Sequence, residues 1–128
     1  MARNLAVLIV LALSLGSLPG VVMAAPTQFS PGAPGLGDPY FPLDGNGGYD
    51  VQHYLLDVTY EPSTDRLTGV ATITANATQN LSSFNFDFVG LTVRSIEVDR
   101  KAASWARDAG ELTITPKQGL LEGLRLRR

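Results

Sequence analysis

Between Leu67 and Thr78 the chain alternates with a period of two. Leu67, Gly69, Ala71, Ile73, Ala75 and Ala77 fall on one side, and Thr68, Thr72, Thr74, Asn76 and Thr78 on the other, with Val70 the lone exception. A helix would bring residues three and four apart onto one face, so this run reads as a strand with one apolar side, extending over residues 66 to 79. Phe84, Phe86 and Phe88 alternate with Asn85 and Asp87 in the same way. That short strand sends three rings towards one core, each worth about 1.5 to 3 kcal/mol when fully buried. In Tyr49 to Tyr60 the apolar phase changes, odd at Tyr49 and Val51 but even at Tyr54, Leu56, Val58 and Tyr60. An extra residue near Gln52-His53, a β-bulge, accounts for the switch. Leu91 and Val93 are likewise out of phase with Ile96 and Val98, which predicts a second irregularity near Arg94-Ser95.

Turn chemistry falls between these segments. Glu61-Pro62-Ser63-Thr64-Asp65 joins the first two strands as a hairpin loop, Val89-Gly90 separates the third from the fourth, and Asp108-Ala109-Gly110 precedes Leu112 and Ile114. Short strands with short turns predict an all-β fold, an antiparallel saddle-like sheet or sandwich. No run of ten residues beyond the N-terminal segment has convincing helical spacing.

That N-terminal segment has a different character. Arg3 is followed by Leu5 to Leu15, where only Ser14 is polar, then by Gly16, Ser17, Pro19 and Gly20, and then by Val22-Met23-Ala24. This is the pattern of a signal peptide with cleavage after Ala24. A transmembrane anchor needs about 20 continuous apolar residues, and Pro19-Gly20 cuts the run short. The expectation is a secreted or cell-envelope protein, with no membrane attachment once residues 1–24 are removed. Residues 25–48 hold Pro26, Pro31, Pro34, Pro39 and Pro42 together with six glycines, which predicts a flexible or polyproline-like linker up to about Leu36. Tyr40 and Phe41, held between two prolines, are expected to dock on the β-domain of residues 49–128. Asp44-Gly45-Asn46-Gly47-Gly48 suggests a calcium loop, but Tyr49 and Leu55 stand where an EF-hand needs Gly and Glu, so the stretch reads as a turn.

Ten Lys and Arg against twelve Asp and Glu leave a net charge of −2, without the basic footprint that a nucleic-acid partner requires. With no cysteine, disulfides, thiolate zinc sites and a cysteine nucleophile are excluded. His53 is the only histidine, whereas catalytic zinc commonly takes two or more. The carboxylates Asp38, Asp44, Asp57, Asp65, Asp87 and Asp99 are spread along the chain like solvated-face residues rather than paired as acid and base. Ser63, Ser82 and Ser83 lack the Gly-x-Ser-x-Gly setting of a nucleophile elbow. Trp105 with Tyr40, Tyr49, Tyr54 and Tyr60 invites comparison with a sugar-stacking platform, but rings at alternating strand positions read better as core. Asn76-Ala77-Thr78 and Asn80-Leu81-Ser82 match the glycosylation sequon, which matters only on a eukaryotic export route. No catalytic, cofactor-binding or metal-binding residue is expected in this chain.

Gly37-Asp38-Pro39-Tyr40-Phe41-Pro42, followed by the stretch from Gly45 through Tyr49-Asp50-Val51-Gln52-His53-Tyr54 to Tyr60, resembles the opening of secreted bacterial zinc metallopeptidases of the aminopeptidase N family. The likeness continues through Leu67-Thr68-Gly69, the Ala71 to Ala75 alternation, Leu81 to Asp87, Gly90-Leu91-Thr92-Val93 and Glu111 to Pro116, and covers about residues 37 to 123. The resemblance implies an N-terminal β-sheet domain that caps a separate zinc domain removing single residues from peptide N-termini. The family's His-Glu-x-x-His helix and its Gly-x-Met-x-Asn motif are absent from this sequence, so the zinc belongs to the family and no catalytic residue is carried over. A catalytic domain or an edge-strand partner is the expected partner, and the alternative is a self-sufficient secreted β-sandwich module binding glycan or protein. Arg125-Leu126-Arg127-Arg128 places three cations where a further apolar strand is expected, so a truncated domain is anticipated. Its unpaired edge and reduced core imply marginal stability. A cooperative thermal transition of residues 25–128 well above about 45 °C would mean that the fold is complete in itself.

Overall fold

A computed structural model describes residues 25–42, 44–108, 110–123 and 125–126. The expected signal peptide, residues 1–24, lies outside them. Among the described residues all regular structure is β, in nine strands: β1 (Ser30–Pro31), β2 (Tyr49–Glu61), β3 (Arg66–Ala77), β4 (Leu81–Asp87), β5 (Glu97–Val98), β6 (Lys101–Ala102), β7 (Ser104–Asp108), β8 (Glu111–Thr115) and β9 (Arg125–Leu126). They form a body sheet in the order β1-β4-β8-β7, a second sheet in the order β2-β3-β9, and the small pair β5-β6. All pairs are antiparallel except β1 with β4.

The core gathers where β4 meets β8 and the end of β3. Ala77, Leu81, Phe84, Ala103, Leu112, Ile114 and Leu120 are buried together, with Tyr49, Phe86, Phe88, Val93, Ile96 and Val98 packed around them. Leu81 is 0 % exposed, and its backbone exchanges hydrogen bonds of 2.8 and 2.9 Å with Leu120. The register sets Phe84 opposite Ile114 and Phe86 opposite Leu112. Tyr49, Phe84 and Phe86 then meet edge to face at centroid separations of 5.5 to 5.8 Å, the arrangement aromatic quadrupoles favour. Phe88 joins the rim rather than the centre. The Arg107 guanidinium lies 5.3 Å from its ring centroid and donates to the carbonyls of Phe88 and Leu91, closing the turn at Val89-Gly90.

Three expectations need correction. The segment up to Leu36 is not a free linker, because Ser30 donates to the Asn80 carbonyl at 3.0 Å and Gly32 to that of Ser83 at 2.8 Å. Pro31 fits there because β1 is an edge strand, where a missing N–H costs no ladder bond. Tyr40 and Phe41 do not dock on the body; they stay 86 % and 63 % exposed. The Asp38 carboxylate accepts the N–H groups of both residues at 2.8 and 2.9 Å, which turns the loop and holds the rings outward. The docking is done instead by small residues: Gly47 donates to Ala33, and Asn85, buried in β4, donates its side-chain amide to the Gly32 carbonyl. Finally, residues 91–96 form no strand, so in place of one strand with an irregularity there is a loop leading into the two-residue β5.

The β2-β3 pair is a long hairpin arm. Its register runs from Tyr49 opposite Ala77 to Glu61 opposite Arg66, with one shift between Val51 and His53. Gln52 is thus the extra residue that the phase change predicted. Its effect is to keep the apolar positions on one face: Tyr49, Val51, Tyr54, Leu56, Val58 and Tyr60 pair respectively with Ala77, Ala75, Ile73, Ala71, Gly69 and Leu67. At the root, Ala75 and Ala77 are buried in the body. Further out the same face is bare, with Leu56 62 % exposed and Val58 57 %.

Candidate functional site

Two places on this fold depart from what an inert body requires. The first is polar and lies at the end of the β4-β8 ladder, where Asp87 stands opposite Glu111. Asp87 also accepts, at 3.3 Å each, the Gly45 N–H and the Asn46 side-chain amide, so the turn of residues 44–48 is strapped to the body sheet by one carboxylate. Glycine at 45 and 48 supplies the positive φ angles, +73° and +96°, that let this turn approach. Glu111 Oε2 and Asn46 Oδ1 are enclosed without a hydrogen-bond partner among the described residues. Loss of solvent first, and then the hydrogen bond and charge of Asp87, push the Glu111 carboxyl above the ordinary glutamate range. Loss of solvent also raises the nearby Tyr49 phenol, whose hydroxyl donates to the Asn85 carbonyl at 2.6 Å.

This pair was not visible in the sequence, where the carboxylates read as isolated. Only the register brings the last residue of one strand to the first residue of another 24 positions later. Its consequence is a linkage between protonation and folding. A carboxyl whose folded pKa is raised contributes stabilisation that is fully present below the unfolded value and is lost as pH rises through the folded one. Glu111→Gln removes that dependence. The thermal midpoint of the variant, compared with that of the parent, is therefore expected to gain progressively as pH is raised from about the ordinary glutamate value of 4.5 towards neutrality. An offset independent of pH in paired melts would contradict this account.

The second place is apolar, the outer face of the arm formed by Tyr54, Leu56, Val58, Tyr60, Leu67, Ala71 and Ile73. Its rim is set by the tip, where Asp65 takes a φ of +50° and its carboxylate accepts the Tyr60 hydroxyl at 2.9 Å. Two-stranded hairpins are marginal by themselves in water, and an apolar face of this length is ordinarily covered.

The other residues singled out in the sequence are scattered. His53 is exposed next to the bulge and pairs with Thr74. Trp105 sits on the edge strand β7 opposite the buried Ile114 and is 39 % exposed. Tyr49 is in the core, Tyr54 and Tyr60 are on the arm, and Tyr40 is at a loop tip, so these rings are distributed over separate parts of the fold. A shallow depression of about 440 Å³ is lined by Leu36, Asp38, Phe41, Asp44 and Gly45, and its Asp38 carboxylate is taken up by the N–H groups of Tyr40 and Phe41. Asp44 serves the turn expected of it, donating its N–H to Phe41 and accepting that of Leu36. Among the described residues no group of three His, Cys, Asp or Glu side chains converges as metal ligands would. No protein family, curated protein or solved structure matches this chain.

Proposed function

We propose that this chain is a non-catalytic N-terminal β-domain of an exported zinc aminopeptidase, with a scaffolding and substrate-channelling role and no turnover of its own. The observation that carries this reading is the arm. Its apolar face continues the core face of β3 outward for the length of Tyr54 to Tyr60 and is left exposed by the described residues, as expected of a domain that rests against another body. The order and spacing of the segments between Gly37 and Gly123 support the family assignment, and the all-β architecture agrees with it. Zinc chemistry and amine recognition would then reside in a partner domain, and delivery to the cell envelope would follow removal of residues 1–24.

The test is an assay of purified residues 25–128 with aminoacyl-arylamide substrates and added zinc. The expected result is no release above the uncatalysed rate, and zinc-dependent turnover that survives further purification would overturn the proposal. A second reading, a self-sufficient glycan- or protein-binding module, draws on the partly exposed Trp105 at the sheet edge. It predicts glycan-array binding that is lost in Trp105→Ala.

A further inference from the structure

The glycine turn strapped to Asp87 contains Asn46-Gly47, and of the five asparagines in the chain Asn46 alone precedes a glycine. With no Cβ on Gly47, its backbone nitrogen is unshielded and can swing onto the Asn46 side-chain carbonyl carbon. Attack there forms an N–C bond and closes a cyclic imide, while the side-chain nitrogen leaves as ammonia, taking with it the proton of the Gly47 amide. Water then opens the imide at either carbonyl and leaves aspartate or isoaspartate at position 46. Nothing but water is consumed.

In the docked turn each part of that path is obstructed. The Gly47 N–H, whose proton must go before the nitrogen can attack, donates to the Ala33 carbonyl at 2.9 Å. The Asn46 amide nitrogen is held on Asp87 at 3.3 Å. Negative charge builds on Asn46 Oδ1 as the new bond forms, yet that atom is enclosed, has no donor among the described residues, and belongs to a side chain already touching a carboxylate. An oxygen without donors is the reverse of the arrangement that speeds such an attack. The obstruction is nevertheless light. Both bonds to Asp87 are 3.3 Å long and exposed, at the loose end of the hydrogen-bond range, so the turn can open while the core stays closed.

We infer that Asn46 is a deamidation site gated by the docking of the turn on Asp87, and that the carboxylate formed there keeps the turn undocked. Two things change when the amide becomes an acid. The donor to Asp87 is lost, and a negative charge takes its place at hydrogen-bond distance from Asp87, which already stands opposite Glu111 in the ladder. With the turn goes the Gly47 N–H that the Ala33 carbonyl accepts, which loosens the segment following β1. The inference is independent of the aminopeptidase reading, because it uses only the turn and its tether.

The chain is kept at neutral pH and physiological temperature and sampled over time by peptide mapping with mass spectrometry. Aspartate and isoaspartate are expected to accumulate at Asn46 while Asn80 and Asn85 stay intact. The rate is expected to be about tenfold below that of a free peptide of residues 42–50, the protection that a few modest hydrogen bonds provide. Asp87→Ala is expected to bring the rate close to the peptide's, with hydrogen exchange at the Leu81 amide unchanged to show that the core is still folded. Asn46→Asp, a comparison that does not need that variant, is expected to speed exchange at the Gly47 amide by about fivefold or more, the least effect of two like charges at contact distance. A chain in which Asn46 never converts, a parent rate equal to the peptide's, an Asp87→Ala rate equal to the parent's, or unchanged Gly47 exchange in Asn46→Asp would each overturn the inference.

Discussion

Leu81→Ala is expected to cost about 3 to 5 kcal/mol, the upper range for removing a fully enclosed leucine. Leu81 opens β4 at the junction of three otherwise separate pieces. Its backbone is bridged to Leu120, the adjacent Asn80 carbonyl holds β1, and its side chain lies under Gly32 and Gly48. Neighbours fixed by backbone hydrogen bonds cannot close in, so the space left by the lost carbons stays open. In a domain of about a hundred residues, whose whole stability is of the order of 5 to 15 kcal/mol, that loss removes between about a fifth and all of it. Urea unfolding followed by tyrosine and tryptophan fluorescence measures it, and a midpoint within error of the parent would show that the packing around Leu81 is not what holds β1, β4 and Leu120 together.

Gly48→Ala is expected to cost about 3 kcal/mol through two separable effects. At a φ of +96° any Cβ is strained, which costs about 1 to 3 kcal/mol. An added methyl would also lie 2.7 Å from Leu81 Cδ2 and 3.2 Å from Gly32 Cα, so it must displace the core residue or the docked β1 backbone. Gly90→Ala separates the terms. Its φ of +86° carries comparable strain, but a methyl there would meet nothing within 4 Å. The difference between the two variants, read from denaturation midpoints, is the contribution of the clash, and equal losses would mean that the close approach of the glycine turn to Leu81 carries no weight.

Much of the architecture is legible in the sequence because it depends on local periodicity. The alternation from Leu67 to Thr78 set the facing of β3 and its extent to within two residues at its end, and the phase change in Tyr49 to Tyr60 placed the bulge near Gln52-His53, where Gln52 is the extra residue. The Glu61 to Asp65 turn lies where its proline and polar residues require. What was not legible depends on partners distant in sequence. β1 is only two residues of Ser-Pro and has no pattern of its own; it exists because the Asn80 carbonyl accepts the Ser30 N–H and the Ser83 carbonyl accepts that of Gly32. Tyr40 and Phe41 turn outward because Asp38, two and three residues before them, captures their N–H groups, a local bond that outweighs the hydrophobicity of the rings. The Asp87-Glu111 pair and the bareness of the arm share a cause. Periodicity says which residues share a face, and only the pairing of strands says what lies against that face.

The uncovered arm also leaves a calorimetric trace. The heat capacity of unfolding comes from apolar surface that water newly wets, and a 100-residue domain ordinarily gains about 1.2 to 1.5 kcal/mol/K. Side chains such as Leu56 and Val58 are already wet before the chain opens. The chain's stability curve should accordingly be flatter than its length implies and its denaturant slope shallower, so that cooling weakens this protein less than it weakens a fully enclosed one of the same size.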